Sequence, residues 1–242
     1  MAPTVEILSD KAALIERAHE LTVKTLQTAI AQRDRATIAL SGGSTPKPLY
    51  TSLISADLPW DKVYVFWGDE RYVPHDHPKS NALMAKEAWL KHVPIPEGNI
   101  FPMPTGANAP ATDAATYEST LKQFFQTGDE DFPAIDFVLQ GMGDDGHTAS
   151  LFPHTPALDV TDRLVTVGDH SGEPRITFTV PMINQGRSVV FLVAGENKQN
   201  ALSQVFSSDA DTHTYPSKLI QSANPHWLLD AAAGAGVPAP FK

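Results

Sequence analysis

The amino-acid sequence predicts an α/β protein with a doubly wound, mostly parallel sheet flanked by helices on both faces. Three observations support this prediction. Four short apolar runs each end at a glycine, and stretches with helical spacing of apolar residues separate these runs. The chain has 242 residues, of which 42% are hydrophobic, so it can bury the core of one α/β domain. We therefore expect residues 1–242 to form a single domain.

The first predicted element is a helix at residues 11–31, where Leu14, Ala18 and Leu26 recur at helical spacing after Ser9 or Asp10 as a cap. Four parallel strands and four crossover helices should follow. The predicted strands are residues 36–40, 63–67, 135–140 and 189–194, and the predicted helices are residues 46–54, 80–92, 111–125 and 197–206.

Two segments lack regular patterns. Five prolines between residues 94 and 110 predict an extended surface connection. The glycines and prolines of residues 234–242 predict a frayed tail.

Composition excludes several classes of function. The chain has 28 acidic and 18 basic residues, a formal net charge of −10, which disfavours nucleic acid and anionic membranes as partners. It has no cysteine, so disulfides, thiolate nucleophiles and cysteine-ligated zinc are excluded. A signal-peptide pattern and a long apolar run are both missing, so we expect a cytoplasmic protein. Its expected partner is a small molecule, and the chain should be a monomer or weak homo-oligomer.

A histidine and two aspartates lie in a glycine-rich turn, GMGDDGHTAS at residues 141–150, directly after the predicted strand at residues 135–140. Open α/β sheets bind their ligands at the carboxyl ends of such strands. His147 can accept a proton at physiological pH, and Asp145 can fix its tautomer, so His147 is a candidate general base. For this motif alone, the alternative is a plain turn whose aspartates cap a following helix.

The other predicted strands end in groups that could bind an anion. SGGSTP at residues 41–46 offers backbone N–H groups and the hydroxyls of Ser44 and Thr45 beside Gly43. Asp69 and Arg71 follow the strand at residues 63–67. Arg71 can pair with a phosphate and Asp69 can orient a hydroxyl or a water.

Two further cations join this set. Lys198 is expected one turn into the helix after residues 189–194, and Arg175 precedes a β-like run. Each cation alone would be unremarkable on a protein surface. Their convergence at one sheet edge predicts a phosphate pocket in an otherwise acidic protein.

Two other motifs carry less weight. His75, Asp76 and His77 resemble a metal site, but flanking prolines favour a solvated loop without a third ligand. Residues 141–146 satisfy the dinucleotide pattern G-x-G-x-x-G, yet Asp144 and Asp145 would place negative charge where a pyrophosphate must bind. Dinucleotide binding is therefore discounted, and no metal is expected.

Taken in order, several motifs resemble the 6-phosphogluconolactonase family. They are SGGSTP at residues 41–46, WGDERYVP at 67–74 with SN at 80–81, GMGDDGHTASLFP at 141–153, PRITFTVPMIN at 174–184 and GENK at 195–198. The resemblance spans most of the chain and is loosest near residues 215–225. It implies a modified Rossmann-like sheet shared with glucosamine-6-phosphate deaminase and ribose-5-phosphate isomerase.

The resemblance also implies an activity, the hydrolysis of 6-phospho-D-glucono-1,5-lactone without metal or cofactor in the oxidative pentose phosphate pathway. By matching positions, His147 would activate water, Asp145 would orient His147, and Asp69 would position substrate or water. The phosphate would be held by Arg71, Arg175, Lys198 and the loop of Gly43, Ser44 and Thr45.

Two alternatives stay open. Glucosamine-6-phosphate deaminase shares the Asp-Gly-His motif, but its pattern carries a glutamate five residues after the histidine, where this chain has Phe152. A sugar-phosphate sensor without catalysis would keep the pocket, although His147 argues against that role.

Overall fold

The computed structural model describes residues 3–223, 225–239 and 241. Its strands are, in chain order, β1 (Thr4–Leu8), β2 (Ala36–Leu40), β3 (Val63–Trp67), β4 (Asp69–Arg71), β5 (Phe137–Gln140), β6 (Val165–His170), β7 (Glu173–Phe178), β8 (Val189–Val193) and β9 (Pro225–Asp230). Its α-helices are α1 (Lys11–Arg33), α2 (Lys47–Leu53), α3 (Asn81–Ala88), α4 (Pro110–Phe125), α5 (Val180–Asn184), α6 (Gln199–Val205) and α7 (Ala231–Gly234).

The main sheet has the order β1-β9-β8-β5-β2-β3, and its neighbouring strands are parallel throughout. Strands β2 and β8 are buried at every position, as expected for a sheet covered by helices, and α1 packs on β2 with Leu14 and Leu26 fully buried. The predicted α/β class and mostly parallel sheet are therefore confirmed.

Strand order explains where a site can form. Strand β2 has β3 on one side and β5 on the other, so the chain changes direction across the sheet at β2. The loops that follow β2 and β5 leave a crevice at their carboxyl ends, the usual ligand position in such sheets.

The four predicted parallel strands are present, with β5 starting at Phe137 and β8 ending at Val193. Strands β1 and β9 were not predicted, and they pair in parallel from Thr4 opposite His226 to Leu8 opposite Asp230. Strand β1 is a short, partly exposed edge, and β9 begins at Pro225, so neither has a strong strand pattern.

A second, antiparallel sheet has the order β4-β7-β6 and was also not predicted. Arg175 lies inside β7 rather than before a β-like run, where it pairs with Arg71 of β4 and Gly168 of β6. Polar residues in β4 hide its strand character, because only the distant partner β7 completes its hydrogen bonds.

The predicted helices need modest corrections. Asp10 caps α1 by accepting a hydrogen bond from the Ala13 amide at 2.9 Å, and α1 continues to Arg33. The helix predicted at residues 80–92 ends at Ala88, because Trp89 leaves the helical conformation before a 3-10 turn. Lys198 ends a 3-10 turn directly before α6, so it lies at the start of that helix rather than one turn inside it.

Residues near the carboxyl terminus pack on the domain. Val237 is 1% exposed, and the Phe241 ring lies 5.2 Å from that of Phe206. The predicted frayed tail is wrong for residues 234–239 and 241, because apolar contacts order them; residues 240 and 242 of that prediction lie outside the described residues. Residues 94–109 follow the predicted extended path apart from a 3-10 turn at Glu97–Asn99, and Pro110 begins α4.

In the described part of the chain, none of the helices combines the length and apolar character needed to cross a bilayer.

Candidate active site

A cavity of about 350 Å³ lies at the carboxyl ends of the parallel strands, between the loops that follow β2, β5 and β8 and one face of the antiparallel sheet. Most of the residues predicted for the site line this cavity. They are Gly43, Ser44, Thr45, Asp69, Arg71, His147, Arg175 and Lys198. Asp145 does not line the cavity, because it lies behind His147 and contacts its ring.

The histidine turn, residues 141–150, holds His147 through a single carboxylate. Oδ1 of Asp145 accepts from the His147 backbone N–H at 3.0 Å and lies 2.6 Å from Nδ1 of the ring. Gly143 makes this packing possible, because a Cβ there would lie 2.2 Å from Nδ1 of His147. Glycine is therefore required at residue 143 by close approach.

The contact with Asp145 defines the chemistry available to the ring. A carboxylate can only accept, so Nδ1 carries a hydrogen, and in the neutral form of the ring Nε2 then presents a lone pair. Burial acts to raise the pKa of Asp145, but the hydrogen bonds from the His147 ring and backbone outweigh it and lower that pKa. Asp145 is therefore an anion at neutral pH.

Backbone contacts brace the histidine turn. The Gly143 amide donates to the His147 carbonyl at 2.9 Å. The Ser217 amide donates to the Gly146 carbonyl at 2.9 Å, and the Ser217 hydroxyl donates to the His147 carbonyl at 3.3 Å. The segment near residue 217, which matches the family motifs loosely, thus supports the turn that carries His147.

Asp69 is 7% exposed and belongs to β4 at the cavity wall. Its Oδ2 accepts from the hydroxyl of Ser150 at 2.8 Å. Sequence reasoning missed Ser150, although it lies only three residues after His147 in the same motif. This hydrogen bond fixes the Asp69 carboxylate and ties the antiparallel sheet to the histidine turn.

Arg71 and Arg175 form a pair of like charges, here called the cation pair. They face each other directly in the β4–β7 ladder, and alternation along β4 places Asp69 on the same face. Like charges opposite one another destabilise a sheet. The Arg175 side chain is 12% exposed, and its carboxylate contact is with Glu173 at 3.7 Å.

The pKa of Arg175 reflects its burial and the repulsion within the cation pair. Burial, followed by the neighbouring charge of Arg71, lowers the pKa of Arg175. An anion between the two guanidinium groups would relieve both effects. The pair therefore favours a doubly charged anionic group such as a phosphate.

The loop at residues 41–46 lies across the cavity from the antiparallel sheet. Tyr50 of α2 holds its start, because the Tyr50 hydroxyl donates to the Ser41 carbonyl at 2.6 Å and accepts from the Ser41 amide at 3.0 Å. Burial raises the pKa of Tyr50, which keeps this hydroxyl protonated. Gly42, Gly43, Ser44 and Thr45 of this loop line the cavity, and backbone N–H groups and hydroxyls of such a loop can bind an anion.

Sequence reasoning also missed an aromatic part of the wall. The centroid of the Phe152 ring lies 4.4 Å from that of the His147 ring and 4.6 Å from that of the His170 ring. Both histidines line the cavity. His170 ends β6, an element without a sequence signal, so its approach to the site could not be foreseen.

The histidine pattern at residues 75–77 lies elsewhere. Nε2 of His75 contacts the Met103 carbonyl at 2.7 Å. Among the described residues, no group of three or more histidine, aspartate or glutamate side chains is arranged to hold a metal ion.

A histidine with an orienting carboxylate, set beside cations at the carboxyl ends of a parallel sheet, is typical of α/β enzymes with small anionic ligands. The family model described as glucosamine-6-phosphate isomerases/6-phosphogluconolactonase matches residues 9–228. The chain belongs to this family, which confirms the resemblance drawn from its motifs.

Curated relatives and solved structures agree with the family. A 6-phosphogluconolactonase of Nostoc sp. is 60% identical over 236 residues, covering 97% of this chain and 98% of its own. One of Synechocystis sp. is 58% identical over 235 residues with the same coverage, 97% and 98%. The crystal structure of 6-phosphogluconolactonase from Leishmania guyanensis superposes with a TM-score of 0.88 at 28% identity, covering 99% of this chain and all of the other.

Proposed function

We propose that this protein hydrolyses 6-phospho-D-glucono-1,5-lactone to 6-phospho-D-gluconate, the second step of the oxidative pentose phosphate pathway. One observation carries the proposal: the oriented histidine and the cation pair line the same cavity. The first can activate water and the second can hold a phosphate. A phosphorylated lactone needs both.

His147 acts as the general base. Its Nε2 takes a proton from a water molecule as the water oxygen attacks the lactone carbonyl carbon. The tetrahedral intermediate collapses by breaking the bond to the ring oxygen, and the imidazolium returns the proton to that oxygen. Asp145 holds the ring through Nδ1 at 2.6 Å and stabilises the transient imidazolium.

Asp69 positions the reacting groups. Ser150 occupies Oδ2 of this carboxylate at 2.8 Å, so Oδ1 is available to accept from the attacking water or a sugar hydroxyl. The fixed carboxylate therefore reduces the freedom of its partner before attack.

The phosphate lies between Arg71, Arg175, Lys198 and the loop of Gly43, Ser44 and Thr45. This group is distant from the reacting carbon, so its binding energy orients the lactone without taking part in bond changes. Ester hydrolysis by water needs a base and charge stabilisation, and these side chains supply both without a cofactor.

The residues around His147 suit the activity of a glucosamine-6-phosphate deaminase less well than lactone hydrolysis. Five residues after His147 stands Phe152, whose ring packs at 4.4 Å from the imidazole and cannot exchange a proton with it. A histidine relay that needs a carboxylate at this position is thus replaced by an apolar contact, which favours water activation alone.

The test is hydrolysis of freshly generated 6-phosphogluconolactone, with the spontaneous rate subtracted. Unphosphorylated gluconolactone and glucosamine 6-phosphate are the comparison substrates. We expect fast turnover of the phosphorylated lactone and little of the other two. A protein that does not accelerate lactone hydrolysis would refute the proposal; ammonia released from the amino sugar would favour a deaminase, and binding without turnover a sensor.

A further inference from the structure

The side chain of Asn81 contacts two parts of the site that are distant in the sequence, strand β4 and the loop at residues 41–46. It is 1% exposed and stands at the start of α3. Its Oδ1 accepts from Nη1 of Arg71 at 2.6 Å, and its Nδ2 donates to the Asp69 carbonyl at 2.9 Å. On its third side the amide lies against Gly42 of the loop at residues 41–46.

These contacts require an amide. Arginine can only donate and a carbonyl can only accept, so one neighbour needs an oxygen and the other an N–H. A Cβ at Gly42 would lie 1.9 Å from Oδ1 of Asn81, so the loop approaches the amide too closely for any other residue there.

Asn81 is itself held rigidly. The buried carboxylate of Glu70 accepts from the backbone N–H of Asn81 at 2.7 Å and from the backbone N–H of Ala82 at 2.8 Å. These bonds fix the backbone at the start of α3. Because the Asn81 side chain is short, it then has little freedom to move. The Asn81 amide is therefore a fixed point to which mobile groups are tied.

The hydrogen bond to Asn81 restricts the position of the Arg71 guanidinium. Arg71 donates to Asn81 and to the Lys79 carbonyl, in both cases through Nη1. Its Nε and Nη2 donors are thus left as a fork that can face a ligand. Without Asn81, the repulsion from Arg175 would favour other positions of the Arg71 side chain.

We infer that Asn81 is a positioning residue that sets the Arg71 guanidinium and the Asp69 backbone together for the phosphate group of a phosphomonoester ligand. The inference rests on the proposed function for the identity of that ligand. It assigns the phosphate affinity of the cavity in part to a residue that does not itself line it.

The alternative is that Asn81 merely stabilises α3, and Ser80→Ala is the matched control for that role. Ser80 caps α3 by accepting from the Leu83 backbone N–H at 3.1 Å, and its hydroxyl donates to Glu70 at 3.1 Å rather than to Asp69. Ser80→Ala should weaken the fold by about as much as a lost helix cap and leave phosphate affinity unchanged.

The experiment measures binding of inorganic phosphate by the rise in Tm that it causes, in the wild type, Asn81→Ala and Ser80→Ala. We expect Asn81→Ala to weaken phosphate binding by about 10- to 100-fold, as for a lost hydrogen bond to a charged group. Its ratio of kcat/KM for phosphorylated over unphosphorylated lactone should fall in parallel. Wild-type phosphate affinity in Asn81→Ala would overturn the inference.

A second variant covers a failure of Asn81→Ala to fold. Asn81→Asp has nearly the same shape, but it faces the Asp69 carbonyl with an acceptor and neutralises Arg71, so it too should weaken phosphate binding. Unchanged affinity in this variant would also overturn the inference. A wild type that binds phosphate without hydrolysing the lactone would refute the proposed function alone, whereas one that binds no phosphate would refute the inference.

Discussion

The histidine turn and the cation pair form two parts of one cavity but are assembled in opposite ways. His147 and Asp145 are two residues apart, and their 2.6 Å contact is made within a single turn. Arg71 and Arg175 belong to different strands, and only the register of β4 against β7 brings them together.

The histidine turn and the cation pair also differ in how well their groups are satisfied without a ligand. The histidine turn is held by hydrogen bonds within the turn and by two from Ser217, all of which form without a ligand. The cation pair is strained, because two positive charges face each other and Arg175 is largely buried. His147 is therefore held in place without a ligand, whereas an anion bound between Arg71 and Arg175 would offset their mutual repulsion.

Replacing His147 should have the largest effect on turnover. We expect His147→Ala to lower kcat for 6-phosphogluconolactone by about 10²–10⁴-fold, the usual contribution of a general base. KM should change little, because the cation pair is intact. Steady-state kinetics measure both values, with circular dichroism as the check on folding; a variant with wild-type kcat would rule out His147 as the base.

Breaking the cation pair should affect binding and stability in opposite directions. Arg175→Met should lower kcat/KM for the phosphorylated lactone by about 10- to 100-fold, because a charge-assisted hydrogen bond is lost. In phosphate-free buffer the same variant should be more stable by about 0.2–1 kcal/mol, because the like-charge contact is removed.

Urea unfolding with and without phosphate measures this difference, and Arg163→Met is the matched control. Arg163 is 54% exposed and pairs with Asp162 on the surface. The strained-pair interpretation is wrong if Arg175→Met destabilises the phosphate-free protein more than Arg163→Met does.

The same contrast explains what the sequence could predict. The histidine turn could be identified from one continuous motif after an apolar strand, and its residues lie where expected. Four of the six strands of the main sheet could be predicted from apolar runs that end in glycine, but the half-exposed edge strand β1 and β9, which begins with a proline, could not.

The antiparallel sheet could not be predicted, because β4 consists of Asp69, Glu70 and Arg71 and has no strand pattern of its own. Its pairing with β7 depends on contacts distant in sequence. The positions of Arg175 and His170, and the hydrogen bond from Ser150 to Asp69, follow from this sheet. The sequence predicted that Arg71 and Arg175 bind a phosphate, but it could not show that they face each other across two strands.

A smaller effect should come from the hydrogen bond between Ser150 and Asp69, which joins the histidine turn to strand β4. Ser150→Ala leaves Oδ2 of Asp69 without its 2.8 Å donor, so the carboxylate gains freedom. We expect kcat/KM to fall by about 5- to 10-fold, as for one hydrogen bond of about 1 kcal/mol. Ser119→Ala, on the exposed face of α4, is the control and should retain full activity. Equal activity of the two variants would show that Ser150 does not position Asp69.

The smallest effect concerns the pH dependence of stability. Because hydrogen bonds to His147 outweigh burial and lower the pKa of Asp145 below its ordinary value of 3.8, the ionised carboxylate stabilises the fold above that value. The stabilisation is lost as pH falls through the lowered pKa. It should be modest, because the Asp145 side chain is 44% exposed and solvent screens the contact.

Asp145→Asn should therefore lose less stability than the wild type between about pH 5 and about pH 3, as measured by urea unfolding at each pH. Asp144→Asn is the matched control, because it removes the same charge from the neighbouring residue and keeps the bonds between Asp145 and His147. It should show the acid sensitivity of the wild type. If the two variants respond to acid alike, the effect comes from net charge, and the bond to His147 would not stabilise the turn before the ligand binds.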